Sequence, residues 1–443
     1  MRIIDWVLPA LGLLGAVLLV LGAPRAVLWA LMAIFAAALA AHFILIGTYW
    51  QRVPVYLAFL ILCYASFTPE QTKARGISVF AIALLSCLSA GLTFELPLFT
   101  LPPPTGQNPP STSTFYLTDF TRDRSLVVQV WYPANFSGGF DSRRAKYARS
   151  KELRPFYRYQ SRIQTNSYDN AEMAKNEGPF PVILFNGMWG GRRTQDTFLM
   201  EDLASHGYVV VAVDHPGNAA RVEMADGQVV YSTMKTAIDT IPGRTPQQIR
   251  ATWEKELAVW VDDNRFVLDE LERMNAGGWA TGRLDVRNVG ALGHSFGGAA
   301  SFALLGADAR VRCAINMDGW SFGGLDHRTT QPILLMYEDS YKGNQPGAGA
   351  EWELDTADKA LVDQSLQSFG GTRVYITGTR HADFTDATLF SPIKRVTATG
   401  SIAGDRIRTI IRKTVLCFFD QELKGHGTLP AFPESELQNW KRP

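Results

Sequence analysis

The chain has 443 residues, of which 47% are apolar and 19% charged, and its formal net charge is +1. That length admits two or three domains, while so even a charge balance excludes nucleic acid or an acidic macromolecule as a partner on global electrostatics. The apolar residues are unevenly placed: the first hundred positions hold long apolar runs and few charges, and the rest reads as a mixed, soluble sequence.

Four apolar stretches come first: Trp6 to Leu21, Ala26 to Ile46, Val53 to Phe67 and Ile77 to Phe99. A bilayer core about 30 Å thick needs roughly 20 such residues as helix, so the second and fourth qualify outright. The first puts Asp5 at the interface and the third is short. Residues 1–99 are expected to form an all-helical, integral membrane region of about four spans, with three as the alternative. A signal peptide needs only one apolar core. With four spans, Arg25, Lys73 and Arg75 share one side, whereas Arg2, Arg52 and everything after Phe99 share the other. Three basic residues against two favour an extracytoplasmic domain. His42 and Glu95 lie near span ends, where interfacial snorkelling explains them better than a proton path.

Thr100 to Thr114 has five prolines and no apolar periodicity, which predicts an extended, semi-rigid spacer over 100–114. From Phe115 onward, strand and helix patterns alternate, so residues 115–443 are expected to form an α/β domain with a mostly parallel central sheet. Phe115 to Phe120 and Leu126 to Tyr132 read as an antiparallel pair. Asn135 to Gly178 is polar and basic and reads as a solvated insertion. Pro181 to Phe185 is a strand buried on both faces that runs into the Gly-rich loop Asn186 to Gly191, whose backbone can approach a ligand closely. A helix over Thr197 to Ser205 and a strand over Tyr208 to Val213 follow, with Asp214 and His215 in a turn. Thr245, Pro246 and Gln248 read as N-cap, first helical residue and capping-box partner. The stripe Ile249, Trp253, Leu257, Val261, Val267 and Leu271 then faces the sheet as core.

The chemistry centres on Gly293-His294-Ser295-Phe296-Gly297. An apolar strand precedes it and a small-residue helix follows, the context in which a G-x-S-x-G turn presents a serine at a helix N-terminus. Three more strands follow, over Arg312 to Met317, Gln331 to Tyr337 and Arg373 to Thr377. They end at Asp318, at Glu338-Asp339 and at the loop that carries His381. Serine needs a base held by a third group. Of the seven histidines, His381 alone sits in a polar loop after the last predicted strand, and His294 reads as packing. The acid stays open between Asp318 and the Glu338-Asp339 pair. Cys63, Cys87, Cys313 and Cys417 show no metal spacing, so four buried free thiols are expected, with no metal and no cofactor.

The stretch Asp202-Leu203-Ala204-Ser205-His206-Gly207-Tyr208, the elbow Gly293 to Gly298, Arg312 to Ile315 with Asp318-Gly319-Trp320, and His381 to Phe384 make the domain resemble the platelet-activating factor acetylhydrolases, of the lipoprotein-associated phospholipase A2 type. The resemblance covers most of Phe115 to Leu423 and none of the membrane region. It implies an α/β-hydrolase fold, Asp318 as the acid of Ser295 and His381, and an oxyanion hole from the backbone of Phe296 and of Trp189. The family commonly has His-Gly where this chain has Gly187-Met188, so the second donor is Trp189 or Met188. The resemblance also implies metal-independent cleavage of phospholipids with short or oxidised acyl chains. Met188, Trp320 and Phe322 are bulky residues expected to wall the acyl side. The expected partners are a lipid or ester substrate and the bilayer. A general carboxylesterase, dienelactone-hydrolase-like enzyme or polyester hydrolase is the alternative, and a ligand-binding membrane protein with a hydrolase-like domain is the non-enzymatic one.

Overall fold

The computed structural model describes residues 4–69, 72–135, 143–175, 178–233, 243–325, 330–342 and 349–440. Arg2, part of the charge count above, lies outside them. The chain forms two compact units, one of Met1–Thr100 with Phe156–Ile163 and Leu389–Thr397, the other of the remaining residues.

The first unit is built on α1 (Ile4–Val20), α2 (Arg25–Leu45), α3 (Val53–Phe67) and α4 (Lys73–Glu95). Among the described residues three helices are long and apolar enough to cross a membrane: Arg25–Leu45, Trp50–Phe67 and Lys73–Glu95. The first is not. Its 17 residues reach about 26 Å at 1.5 Å per residue, short of a core of roughly 30 Å. Asp5 is only 1% exposed and pairs with Arg52 at 2.9 Å, and both side chains hydrogen-bond the Tyr49 hydroxyl. His42 does not snorkel. It is buried, and its Nε2 meets the Tyr56 hydroxyl at 2.8 Å, since a polar group inside a bundle needs a partner. Close packing of α1 on α4 requires Gly12, where a Cβ would lie 2.1 Å from Ser86 Oγ.

The second unit carries β1 (Pro110–Asp119), β2 (Arg124–Pro133), β3 (Arg144–Lys146), β4 (Gln164–Asp169), β5 (Phe180–Asn186), α5 (Thr197–Ser205), β6 (Val209–Asp214), β7 (Arg221–Glu223) and β8 (Val229–Tyr231). It continues with α6 (Pro246–Ala276), β9 (Leu284–His294), α7 (Phe296–Ala307), β10 (Val311–Met317), β11 (Ile333–Glu338), α8 (Ala350–Phe369) and β12 (Gly371–Ile376). Two single-turn helices follow in the chain, α9 (Ala387–Phe390) at the boundary and α10 (Lys394–Thr397) in the first unit's Leu389–Thr397 segment, and α11 (Gly404–Lys424) and β13 (Ser435–Trp440) complete the second unit. Eleven strands form one sheet in the order β13-β12-β11-β10-β9-β5-β6-β2-β1-β4-β3, and β7 pairs with β8 apart from it. From β12 to β6 every pairing is parallel, as expected of apolar runs buried on both faces.

The structure revises several expectations. The spacer is not free: β1 starts at Pro110, Thr105 N donates to Asp202 Oδ1 at 2.8 Å, and a Cβ on Gly106 would sit 2.2 Å from the Ser205 carbonyl. The basic insertion supplies β3 and β4 to the sheet, with Arg144 over the Tyr168 ring at 3.9 Å. All four cysteines are free, but only Cys313 is buried and Cys87 is exposed. The helix α8 and the edge strand β13 were not foreseen, because β13, Ser-Glu-Leu-Gln-Asn-Trp, is too polar to read as a strand.

Candidate active site

Ser295 joins β9 to α7 with φ 58° and ψ −125°, a backbone conformation that a non-glycine residue adopts only when its surroundings enforce it. They do. A Cβ on Gly293 would lie 2.0 Å from the Gly297 carbonyl, and one on Gly297 would lie 2.1 Å from that of Asn186. The two glycines thus let β5, β9 and α7 meet closely enough to hold the turn, with Ser295 directly before the free amides of α7.

Asp318 follows β10 with φ 56°. Its Oδ2 lies 2.6 Å from His381 Nδ1, and its Oδ1 accepts from Glu338 N at 2.9 Å. His381 opens a single 3-10 turn, fixed by Asp383 Oδ2, which accepts from Arg380 N and Gly400 N. Asp339 instead accepts from Gly378 N at 3.0 Å, which anchors the loop before His381. Of the candidate acids, the fold brings Asp318 to the imidazole and leaves Asp339 in a supporting place. Burial works against protonation of His381, but the hydrogen bond and charge of Asp318, with Glu338 behind it, outweigh that and raise its pKa above the ordinary value. Burial, then the Asp318 charge, also pushes the Glu338 carboxyl up. Since Asp318 holds Nδ1, Nε2 is the ring nitrogen left for a proton on Ser295.

Among the described residues, the amides of Phe296 and Trp189 have no acceptor, whereas Met188 N donates to Gln195 Oε1 at 3.1 Å. The Trp189 ring is buried edge-on against Phe296 at 4.7 Å. Trp253 and Trp260 also pack on Phe296, at 4.5 and 4.8 Å, and Trp253 reaches Trp320 at 5.0 Å. Met188 and Trp320 are partly exposed, and Trp320 Nε1 donates to Asp355 Oδ1 at 2.6 Å. Phe322 is 1% exposed and stands behind Trp320, so it backs the wall and does not line it. The α6 stripe is core, as read, but it is the core on which the residue after the nucleophile rests. Its closeness to Phe296 was not visible at a distance of some forty residues in the chain.

His215 is more than a turn residue. It is buried, with Nδ1 2.8 Å from Asp263 Oδ2 and Nε2 3.1 Å from Asn186 Oδ1, and it stacks on Trp260 at 3.8 Å. Arg124 grips Asp263 through two hydrogen bonds. This cluster braces the strand end from which the Gly-rich loop departs. Among the described residues no group of three or more His, Cys, Asp or Glu is placed to hold a metal ion.

The family model described as platelet-activating factor acetylhydrolase, isoform II, matches residues 111–242 and 272–428. The chain is 29% identical over 191 residues to the platelet-activating factor acetylhydrolase of Bos taurus, covering 39% of this chain and 43% of that one. It is 25% identical to that of Cavia porcellus, covering 65% and 64%. A probable 1-alkyl-2-acetylglycerophosphocholine esterase of Arthroderma benhamiae is 28% identical, with 35% of each chain covered. The chain thus spans between about a third and just under two thirds of the length of these curated relatives. Among solved structures, a ferulic acid esterase from Streptomyces cinnamoneus superposes with TM-score 0.63 at 27% identity, covering 76% of this chain and 99% of that one. With more than half of its length matched, and the serine elbow and parallel sheet in place, the chain belongs to the platelet-activating factor acetylhydrolase isoform II family of the α/β-hydrolase superfamily.

Proposed function

We propose that the protein is a membrane-anchored serine esterase that cleaves short or truncated acyl chains from phospholipid-like esters. The observation that carries this reading is the 2.6 Å contact of His381 Nδ1 with Asp318 Oδ2 beside a serine held at φ 58°. Ser295 Oγ attacks the ester carbonyl carbon while its proton passes to His381 Nε2. The amides of Phe296 and Trp189 take the negative charge that develops on the carbonyl oxygen. The carbon–oxygen bond to the alcohol breaks and the alcohol leaves with the proton from Nε2. Water then gives a proton to Nε2 and attacks the acyl-enzyme, and the acid departs as Ser295 regains its proton. Asp318 fixes the imidazole tautomer and stabilises the imidazolium in both halves.

The aromatic wall of Trp320, backed by Phe322 and Trp253, supports a short acyl pocket, because side-chain volume sets what fits such a site. Three apolar helices support attachment to a bilayer, and with Arg25, Lys73 and Arg75 at one end of these helices and Arg52 at the other, the basic residues favour an extracytoplasmic catalytic unit. A fluorophosphonate probe tests the reading: we expect one adduct, on Ser295, and no p-nitrophenyl acetate turnover by Ser295→Ala. Labelling elsewhere, or activity in that variant, would reject it.

A general carboxylesterase is the second reading, favoured by the likeness over nearly the whole of a ferulic acid esterase. Rates on acetyl to palmitoyl esters of glycerophosphocholine and of p-nitrophenol separate the two. Equal rates on both scaffolds favour the general enzyme, and rates rising to palmitoyl defeat the short pocket.

A further inference from the structure

The Gly-rich loop closes around a side chain. Gln195 is 6% exposed, and its Oε1 accepts from Met188 N at 3.1 Å. A Cβ on Gly191 would stand 2.1 Å from that oxygen and one on Gly187 would stand 3.0 Å from it. The glycines of this loop therefore make room for an internal amide as well as for a ligand. The other end of the same amide is equally engaged: Nε2 lies 3.0 Å from Asp196 Oδ2 and 3.2 Å from His294 Nδ1. His294 is fully buried, and its Nε2 lies 3.1 Å from the carbonyl oxygen of His381.

These contacts have one consistent proton assignment. A carbonyl oxygen only accepts, so His294 carries its hydrogen on Nε2 and presents Nδ1 as an acceptor. The two hydrogens of Gln195 Nε2 then go to Asp196 and His294, and its oxygen is free for Met188 N. The backbone oxygen of Gln195 also accepts from Asp386 N at 2.8 Å, five residues past His381. One buried residue thus holds the loop that offers Trp189 N and the segment that carries His381.

We propose that Gln195 is a positioning residue for ester hydrolysis, which joins the oxyanion loop to the His381 segment through His294 and, by occupying Met188 N, leaves Trp189 N as the oxyanion donor. This rests on the assignment of Ser295, His381 and Asp318 above. A small displacement of donor and base should lower kcat and leave ground-state binding nearly intact.

The test uses the full-length protein in detergent with p-nitrophenyl acetate. Q195M keeps size and removes both hydrogen-bonding ends, and we expect kcat to fall about 10- to 100-fold, the loss that misplacement by an ångström or less can cause, with KM changed by less than about threefold. Q195E supplies a second readout, independent of how well Q195M folds. A protonated carboxyl at 195 can donate to His294 and accept from Met188, whereas an ionised one cannot donate and faces Asp196. Its activity should therefore approach that of the parent at mildly acid pH and decline as pH rises, where the parent holds its plateau. A kcat for Q195M within about twofold of the parent, or a parental pH profile for Q195E, overturns the proposal. Absence of a fluorophosphonate adduct on Ser295 in the parent enzyme indicates instead that the underlying assignment has failed.

Discussion

The two units differ in what their outer faces carry. In the helical unit Ile44 is 82% exposed and Phe80 68%, while Ser86, Ser89 and Thr93 are fully buried between helices. The bundle also buries large apolar groups such as Phe35, Leu62 and Ile82, but large apolar groups on the outer face with small polar groups between the helices suit a lipid solvent. In the α/β unit the long apolar runs lie inside: Val209 to Val213 and Val182 to Phe185 are almost wholly buried, as water demands. Each unit nevertheless buries charge. Asp5 pairs with Arg52 in the first, and Arg193 with Glu152 and Asp214 in the second. The difference lies in what the acids face: Asp318 is aimed at the His381 imidazole at 2.6 Å, whereas Asp5 faces Tyr49 and Arg52 of its own bundle.

The largest effect should come from breaking that aim. Asp318→Asn is expected to lower kcat by about 10⁴-fold, as when a catalytic imidazole loses the partner that fixes its tautomer. Asp339→Asn should cost less than about tenfold, because Asp339 holds the Gly378 amide and not the imidazole. Asp5→Asn should leave kcat within about twofold if the folded protein is recovered. Initial rates with p-nitrophenyl acetate, corrected for folded fraction, check all three, and a larger loss for Asp339→Asn would move the acid to the later strand.

Charge in the helical unit should instead appear in stability. Arg52→Met takes the guanidinium away from the buried Asp5 carboxylate and is expected to cost about 3–5 kcal/mol, whereas joining it to Asp5→Leu should bring the loss to within about 1 kcal/mol of the parent. Thermal unfolding in detergent measures this. An additive double variant would mean that the two charges do not depend on each other.

The pH profile sharpens the same contrast. In the proposed mechanism His381 must be neutral to take a proton, and its pKa is raised above the ordinary 6.5. Turnover should thus climb through a midpoint above 6.5 and lose about tenfold per pH unit on the acid side of it. Asp318→Asn removes the hydrogen bond and charge that raise the pKa most and leaves only the Glu338 charge against burial, so the residual activity's midpoint should move downward. For stability the sign is opposite: the His381–Asp318 pair favours the folded state below the unfolded imidazole pKa, and that contribution is lost as pH rises through the folded one.

The parts of the fold that read well from sequence are those with strong local signals. The capping box of Thr245 and Gln248 is present, α5 spans Thr197–Ser205 as read, and the glycines of the elbow serve the contacts that the motif requires. What stayed hidden depends on chain-distant contacts. Gln195 carries no signal of its own in the sequence, because its partners, Met188 and His294, come together only when β5 and β9 pair. His215 drew a turn assignment because Asp263 is on α6, nearly fifty residues away. The acid could not be chosen from spacing, since Asp318 and Asp339 both end strands, and only the path of the loop from β12 brings His381 to one of them.

The smallest expected effect tests the outward apolar face of the helical unit. Leu62 is fully buried and packs so close to α1 that a Cβ on Gly15 would meet its side chain at 2.8 Å. Leu62→Ala should therefore cost about 2–5 kcal/mol of unfolding free energy in detergent, the range for emptying a packed site. Phe80 points away from its own bundle, so Phe80→Ala removes a larger side chain yet should change stability by no more than about 0.5 kcal/mol. In a water-facing helix the usual remedy for an outward phenylalanine is a polar residue. Here Phe80→Ser should instead weaken recovery of the protein in the membrane fraction, because each apolar group lost from the outer face reduces the transfer free energy into lipid. If Phe80→Ser raised the yield of soluble, membrane-free protein with unchanged stability, the outward apolar face would be a docking surface for protein and not for lipid, and the two units would share one solvent after all.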